Sequence, residues 1–130
     1  MDEKVKISKE DFDLEDIKKR AVTPSDGVIV SFVGVVRDHN KGLRVIKLEI
    51  QRYEGMTLQQ MQRVRDEAVN NFQVTDIIIH HRVGEFDVGD NILGIAVSAA
   101  DYQDAFDACR YCVDRIKEIV PLWRKEATEL

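Results

Sequence analysis

The segment at residues 28–36 restricts the fold most, because all of it is apolar except Ser31 and Gly34. A run this short and this apolar is typical of a strand covered on both faces. Residues 45–53 instead alternate, which places three apolar side chains on one predicted face: Ile46, Leu48 and Ile50. Alternation of this kind predicts a strand with one solvated face, paired with the first strand as an antiparallel hairpin.

The rest of the chain divides into further helices and strands by the same rules. Strands are predicted at residues 5–7, 76–82 and 91–99, and helices at residues 14–21, about 54–73 and about 101–120. Pro121 is expected to end the last helix. Residues 83–90 are predicted as a glycine-containing loop and residues 122–130 as a tail. The order predicts one α+β domain over residues 1–130, with helices packed against a mostly antiparallel sheet.

Charge and composition exclude several classes of protein. The net charge of −5 argues against a nucleic-acid or anionic-membrane surface as the main function. The chain has no run near the ~20 apolar residues of a membrane span, and residues 1–10 lack an apolar signal core. Its two cysteines suggest reduced thiols rather than a disulfide framework. We therefore expect a cytoplasmic protein.

Three groups of potential metal or redox residues have simpler explanations. Cys109 and Cys112 have the spacing of a metal or redox pair, but they lie on the apolar stripe of the last helix, which predicts buried thiols. His80 and His81 are neighbours in a strand and point to opposite faces, so one is expected inside and one outside. The aspartates that open the last helix, beginning with Asp101, are expected to cap it. No metal or cofactor is predicted.

Basic residues converge near the ends of predicted elements. Arg37 follows the buried strand, and Lys117 lies at the edge of the last helix's apolar stripe, where partial desolvation is expected. Arg124 and Lys125 follow Trp123 directly. In an acidic chain these cations are candidates for a pocket that binds an anionic small molecule. Solvated surface cations are the simpler alternative.

Several segments in the same order resemble one known family. Residues 32–40 read FVGVVRDHN, residues 81–85 read HRVGE and residues 88–90 read VGD. Near the end of the chain, Asp114, Lys117 and Pro121 precede the run WRKE at residues 123–126. Together these resemble the MoaE family, the catalytic (large) subunit of molybdopterin synthase.

The resemblance implies a fold, a reaction and partners. It implies an α/β-hammerhead-type subunit that forms a homodimer, and a heterotetramer with a small ubiquitin-like sulfur-carrier subunit ending in Gly-Gly. The implied reaction is a sulfurtransferase step, in which sulfur from that subunit's C-terminal thiocarboxylate converts cyclic pyranopterin monophosphate into the dithiolene of molybdopterin. No metal is needed. For the dimer, residues 45–53 and 83–90 are the expected pairing surfaces.

The resemblance also implies roles for individual residues. Lys117 and Arg124 would be catalytic, and Arg37 would bind the phosphate or the pterin. The implied substrate-binding set consists of Val35, Val36, Arg37, Asp101, Tyr102, Lys117, Arg124, Lys125 and Glu126. A site rich in cations suits this chemistry, because the cyclic phosphate and the thiocarboxylate are both anions.

The sequence departs from the family pattern in the expected pocket. Asp101 and Tyr102 stand where the family usually has His-Arg, and Arg124 stands where it usually has Lys. The first change removes a cation and a titratable group and adds an anion. A non-catalytic homologue that docks the ubiquitin-like partner is therefore an alternative, as is an unrelated small-molecule-binding α+β domain.

Overall fold

Across residues 3–129 the computed structural model has three helices and eight strands. In chain order they are β1 Val5–Ser8, α1 Leu14–Ala21, β2 Val28–Val35, β3 His39–Asn40, β4 Leu43–Arg52, α2 Met56–Asn71, β5 Asp76–Arg82, β6 Gly84–Asp87, β7 Asn91–Ala99, α3 Tyr102–Ile119 and β8 Leu122–Glu129. The predicted α+β class is confirmed. Every described strand pair is antiparallel except β1 with β5.

The main sheet has the strand order β1-β5-β7-β2. Its inner strands β5 and β7 are buried almost throughout. One face packs against α2 and α3, and the other packs against α1 through Ile17 and Ala21. Strands covered on both faces are expected to be continuously apolar, which explains the isoleucine-rich β5.

The predicted hairpin between the first two long strands is wrong. Strand β2 pairs with β7, from Val28 opposite Ala99 to Gly34 opposite Leu93. It is covered on both faces, since Phe32 joins the core under α3 and Val33 packs on the α1 side. However, β2 is only half-buried, because no described strand pairs with its outer edge.

A second sheet surrounds β4. Strand β8 pairs along one edge of β4, while β3 and β6 pair along the other. Residues 122–129, predicted as a tail, are therefore a strand, and residues 83–90 contain β6. Because β4 has partners on both edges, the predicted dimer surface at residues 45–53 would have to use the solvated face of the strand and not its edges.

A bulge in β4 makes the predicted buried face of this strand wrong at one residue, Ile46. The pairing with β8 passes from Val45 opposite Thr128 to Lys47 opposite Ala127, so Ile46 has no partner. Ile46 is 49% exposed, whereas Val45 is 1% exposed. An extra residue of this kind reverses the alternation on one side of the bulge. Leu48 and Ile50 keep their predicted places in the core.

The helix ends follow the sequence with one exception. Asp13 caps α1 by accepting a hydrogen bond from the backbone N–H of Glu15 at 3.0 Å. Asp101 occupies the N-cap position of α3, but its side chain makes no capping hydrogen bond. Helix α3 ends at Ile119, just before Pro121, whose carbonyl accepts from Thr57 Oγ1 at 2.6 Å. That bond ties the α3–β8 turn to α2. None of the helices described is long and apolar enough to cross a membrane.

Candidate functional site

A cavity of about 610 Å³ lies where the end of β2, the C-terminal half of α3 and one face of β8 meet. Its apolar wall comes from β2, β7 and α3 and includes Phe32, Leu93, Val113 and Ile116. The predicted residues Val35 and Val36 line the cavity as well. Its polar lining is Arg37, Asn40, His81, Lys117, Arg124 and Glu126.

Three predicted cations converge on this cavity from separate parts of the chain. Arg37 follows β2, Lys117 is in the last turn of α3, and Arg124 is in β8. Lys117, expected to be partly desolvated, is an exposed residue that lines the cavity. Arginine and lysine side chains only donate hydrogen bonds, so this side of the cavity is suited to an anion.

Asn40 and Glu126 hold Arg37 in place. Arg37 Nη2 donates to Asn40 Oδ1 at 2.9 Å, and Asn40 Nδ2 donates to Glu126 Oε1 at 2.6 Å. The loop after β2 is thereby linked to β8. Asn40 was not a predicted site residue, and only its place in the resembling segment pointed to it.

Strand alternation separates the three residues of the predicted Arg-Lys-Glu stretch. Leu122, Arg124 and Glu126 line the cavity, whereas Trp123 and Lys125 do not. Successive side chains of a strand point to opposite faces, so Lys125 leaves the cavity once residues 122–129 form β8.

Asp101 and Tyr102 do not line the cavity of their own chain. They lie at the N-terminal end of α3, and Lys117 is near its C-terminal end. At ~1.5 Å rise per residue, Tyr102 is about 22 Å from Lys117 along the helix axis. Any contact between this pair and a cavity of this kind requires a second copy of the chain.

His81 is a cavity residue that sequence reasoning missed. The prediction that His80 and His81 face opposite ways holds, but neither is outside, since they are 7% and 6% exposed. His80 packs beside Phe12 and lies 3.0 Å from Ser8 Oγ, whereas His81 lines the cavity. Burial, opposed by a hydrogen bond to the backbone at Arg82, lowers the pKa of His81 to about 4.

Arg82, the residue after His81 in the HRVGE segment, holds the neighbouring backbone in place. Its guanidinium donates to the carbonyl oxygens of Asn91 at 2.8 Å and Lys9 at 3.0 Å, and it lies over the ring of Phe86. These contacts tie β5 to the strands and loop around it, which fixes the backbone that carries His81.

The two cysteines are free and buried, as predicted. Burial raises the pKa of Cys109 to about 11 and that of Cys112 to about 12, so both are protonated thiols near neutral pH. Among residues 3–129 there is no cluster of three or more His, Cys, Asp or Glu side chains arranged to hold a metal ion.

The chain is similar to known proteins both in sequence and in structure. The model of the family described as MoaE protein matches residues 7–119. A molybdopterin synthase catalytic subunit of Pyrococcus abyssi is 42% identical over 120 residues, covering 92% of this chain and 81% of the relative. The crystal structure of molybdopterin synthase from Staphylococcus aureus superposes with a TM-score of 0.91 at 32% identity, covering 99% of this chain and 94% of that one.

A more distant structure shares the fold. It is the complex of subunits 1 and 2 of molybdopterin-converting factor from Helicobacter pylori, with a TM-score of 0.78 at 18% identity, covering 96% of this chain and 85% of that one. The family match spans well over half of this chain, and the Pyrococcus relative exceeds 30% identity over most of both proteins. The chain therefore belongs to the MoaE family, the family of the molybdopterin synthase catalytic subunits.

Proposed function

We propose that this chain is a sulfurtransferase that converts cyclic pyranopterin monophosphate into the dithiolene of molybdopterin. The sulfur donor is the C-terminal thiocarboxylate of a small ubiquitin-like subunit ending in Gly-Gly. The observation that carries the proposal is the convergence of Arg37, Lys117 and Arg124 on one cavity of about 610 Å³. That volume lies within the ~300–1,000 Å³ range of small-molecule sites.

The charge of the cavity supports the assignment of roles. A cyclic phosphate and a thiocarboxylate are both anions, and Arg37, Lys117 and Arg124 supply donors for them. Arg37, held by Asn40, would bind the phosphate. Lys117 is exposed at the cavity, where an incoming peptide tail can reach it, and would stabilise charge during transfer. Arg124 adds a third cation to the cavity, with a guanidinium whose several N–H groups can donate to an anion.

We further propose that the chain is a homodimer joined along the outer edges of β2. This edge has no partner in the described part of the chain, and an unpaired edge favours pairing with another strand. The C-terminal end of β2 leads to the cavity, whereas Val28 at the other end pairs with Ala99, close to Asp101. Antiparallel pairing of two β2 strands would therefore bring Asp101 and Tyr102 of one copy to the cavity of the other.

The small subunit completes the proposed assembly. In the Helicobacter pylori structure, subunits 1 and 2 of molybdopterin-converting factor form a complex. One small subunit for each cavity of a dimer makes a heterotetramer. The two free thiols of the chain support a reducing compartment such as the cytoplasm.

A non-catalytic homologue that docks the same partner is the second candidate. It is favoured by Asp101 and Tyr102, which put a carboxylate and a phenol where the family usually has His-Arg. Changing Asp101→His together with Tyr102→Arg separates the two. A gain in turnover would show that the native pair impairs the site, and a loss would show that the cavity is adapted to it.

Reconstitution tests the function directly. The purified chain is mixed with thiocarboxylated small subunit and cyclic pyranopterin monophosphate, and molybdopterin is measured as its fluorescent oxidation product. We expect product from the native chain and little from Lys117→Ala. If the native chain binds the small subunit but makes no product, the docking function replaces the catalytic one.

A further inference from the structure

The orientation of the His81 ring fixes where its proton lies. Nδ1 is 2.8 Å from the carbonyl oxygen of Arg82. A carbonyl oxygen only accepts hydrogen bonds, so Nδ1 carries the hydrogen and donates it. In the neutral ring, Nε2 is then an acceptor with a free lone pair.

That lone pair is open to the cavity. Within residues 3–129, Nε2 of His81 makes no hydrogen bond, while no fully buried side-chain nitrogen or oxygen is left without a partner. Nε2 is therefore in reach of solvent, although the residue is only 6% exposed. Since His81 lines the cavity, the cavity is the space that Nε2 faces.

The charges around the ring keep it neutral. The cavity brings Arg37, Lys117 and Arg124 to the same space, against the single carboxylate of Glu126. On the same strand lie His80 and the cationic Arg82. Burial and the charge of Arg124 both lower the pKa of His81, so the ring is not a fourth cation at neutral pH.

A neutral acceptor is scarce in this cavity. The three cations only donate, and Oε1 of Glu126 already accepts from Asn40. A heterocycle with ring N–H groups needs acceptors as well as donors. The site thus has a cationic part suited to an anion and an imidazole suited to an N–H donor.

We propose that Nε2 of His81 accepts a hydrogen bond from an N–H group of the substrate's heterocycle and so helps select and orient it. The assignment rests on the proposed function and adds a binding residue to it. Arg82 acts as a positioning residue, since its backbone carbonyl sets the ring and its guanidinium anchors the strand.

Two substitutions of His81 test the roles of its two ring nitrogens separately. His81→Asn retains an amide donor near Nδ1 for the Arg82 carbonyl and removes the cavity acceptor. His81→Gln places an amide oxygen near the position of Nε2. His80→Asn is the matched control, because His80 is equally buried on the same strand but packs beside Phe12, away from the cavity.

Steady-state kinetics with thiocarboxylated small subunit should show a change in KM rather than kcat. We expect His81→Asn to raise KM for cyclic pyranopterin monophosphate about tenfold, the effect of losing one buried hydrogen bond, with kcat within about threefold. His81→Gln should recover much of the loss, and His80→Asn should match the native KM. A native KM in His81→Asn, or a fall in kcat alone, would overturn the assignment.

The ring state is measured separately on the native protein. With 15N-labelled histidine, two-bond proton–nitrogen spectra at pH 7 should show a neutral His81 ring protonated at Nδ1. A ring protonated at Nε2, or a doubly protonated ring, would overturn the inference whether or not the protein turns over. An inactive native chain would instead count against the proposed function, so the two failures are distinguishable.

Discussion

The side-chain amide of Asn40 donates to Oε1 of Glu126 at 2.6 Å, which joins β3 to β8, the last strand of the described chain. The other end of the same amide accepts from Arg37 at 2.9 Å. Arg37 has no carboxylate partner among these contacts, so its charge remains available to a ligand. The Asn40 bridge sets the direction of the guanidinium without neutralising it.

Removing this bridge should weaken substrate binding. We expect Asn40→Ala to lower the affinity for cyclic pyranopterin monophosphate about three- to tenfold, the size of one ordinary hydrogen bond, measured by calorimetry. Asn40→Asp should be worse, because it places a second carboxylate against Glu126. Asp38→Asn is the control, since the Asp38 carboxylate bonds the exposed ring of the neighbouring His39. Equal losses in the control and in Asn40→Ala would contradict the bridge.

Lys117 should matter for turnover and not for folding. Lys117→Ala is expected to lower kcat about 100-fold, the size of losing a positioned charge-stabilising group. Because Lys117 is exposed, the unfolding free energy should change by less than ~0.5 kcal/mol. Arg110→Ala is the control on the same helix, since Arg110 is exposed, does not line the cavity and pairs with Asp114 at 3.8 Å. Arg124→Lys should retain most turnover, and an unaffected Lys117→Ala would remove Lys117 from the reaction.

The outer edge of β2 should decide the oligomeric state. Light scattering is expected to give twice the 14.9 kDa chain mass for the native protein alone. Ser31→Glu should produce monomers, because two added carboxylates would meet across the shared edge. Gln59→Glu, which adds the same charge on the exposed side of α2, should leave the dimer intact. A native monomer, with or without the small subunit, would contradict this arrangement.

Both cysteines should react slowly with thiol reagents in the native state. Their pKa values near 11 and 12 leave almost no thiolate at pH 7.5, and both side chains are buried. The double substitution Cys109→Ala with Cys112→Ala is expected to lower the unfolding free energy by about 1–2 kcal/mol, from lost packing. Turnover should stay near native. A folded but inactive double variant would show that the thiols are catalytic.

His81 should make the fold sensitive to acid. Its pKa is about 4 in the folded chain, against an ordinary value of 6.5. As the pH falls from 6.5 to 4, the unfolded chain takes up a proton that the folded chain does not, so stability is lost over that window. The shift corresponds to about 3 kcal/mol at most. Urea unfolding at several pH values should show this slope, and His81→Gln should reduce it, leaving the part due to His80, whose pKa burial also lowers. An unchanged slope in His81→Gln would contradict the low pKa of His81.

The sequence correctly predicted those helices and strands whose apolar residues follow the pattern typical of that element. The isoleucines of β5 and the apolar stripe of α3 are examples. Pairing partners were not predictable in this way. The apolar β2 pairs with β7, far away along the chain, and nothing local in β2 identifies that partner. Strand β8 was missed because its cavity face carries charged residues, so no apolar alternation marks it.

The candidate site, like the fold, was predicted only in part from the sequence. The family resemblance brought Arg37, Lys117 and Arg124 to one expected pocket, and the fold places all three at the cavity. His81 was missed because its role depends on which face of β5 meets α3 and β8. A histidine pair in a strand shows only that the two side chains differ in direction.

Side chains along β8 alternate between the cavity and the opposite face. The number of residues in this strand therefore decides which side chains reach the cavity. Deleting or inserting one residue between Pro121 and Arg124 would reverse the direction of every following side chain. Lys125 would then enter the cavity, while Arg124 and Glu126 would leave it. A replacement that keeps the length of β8 leaves this alternation intact, whereas a change of one residue in length would exchange the set of side chains that β8 presents to the cavity.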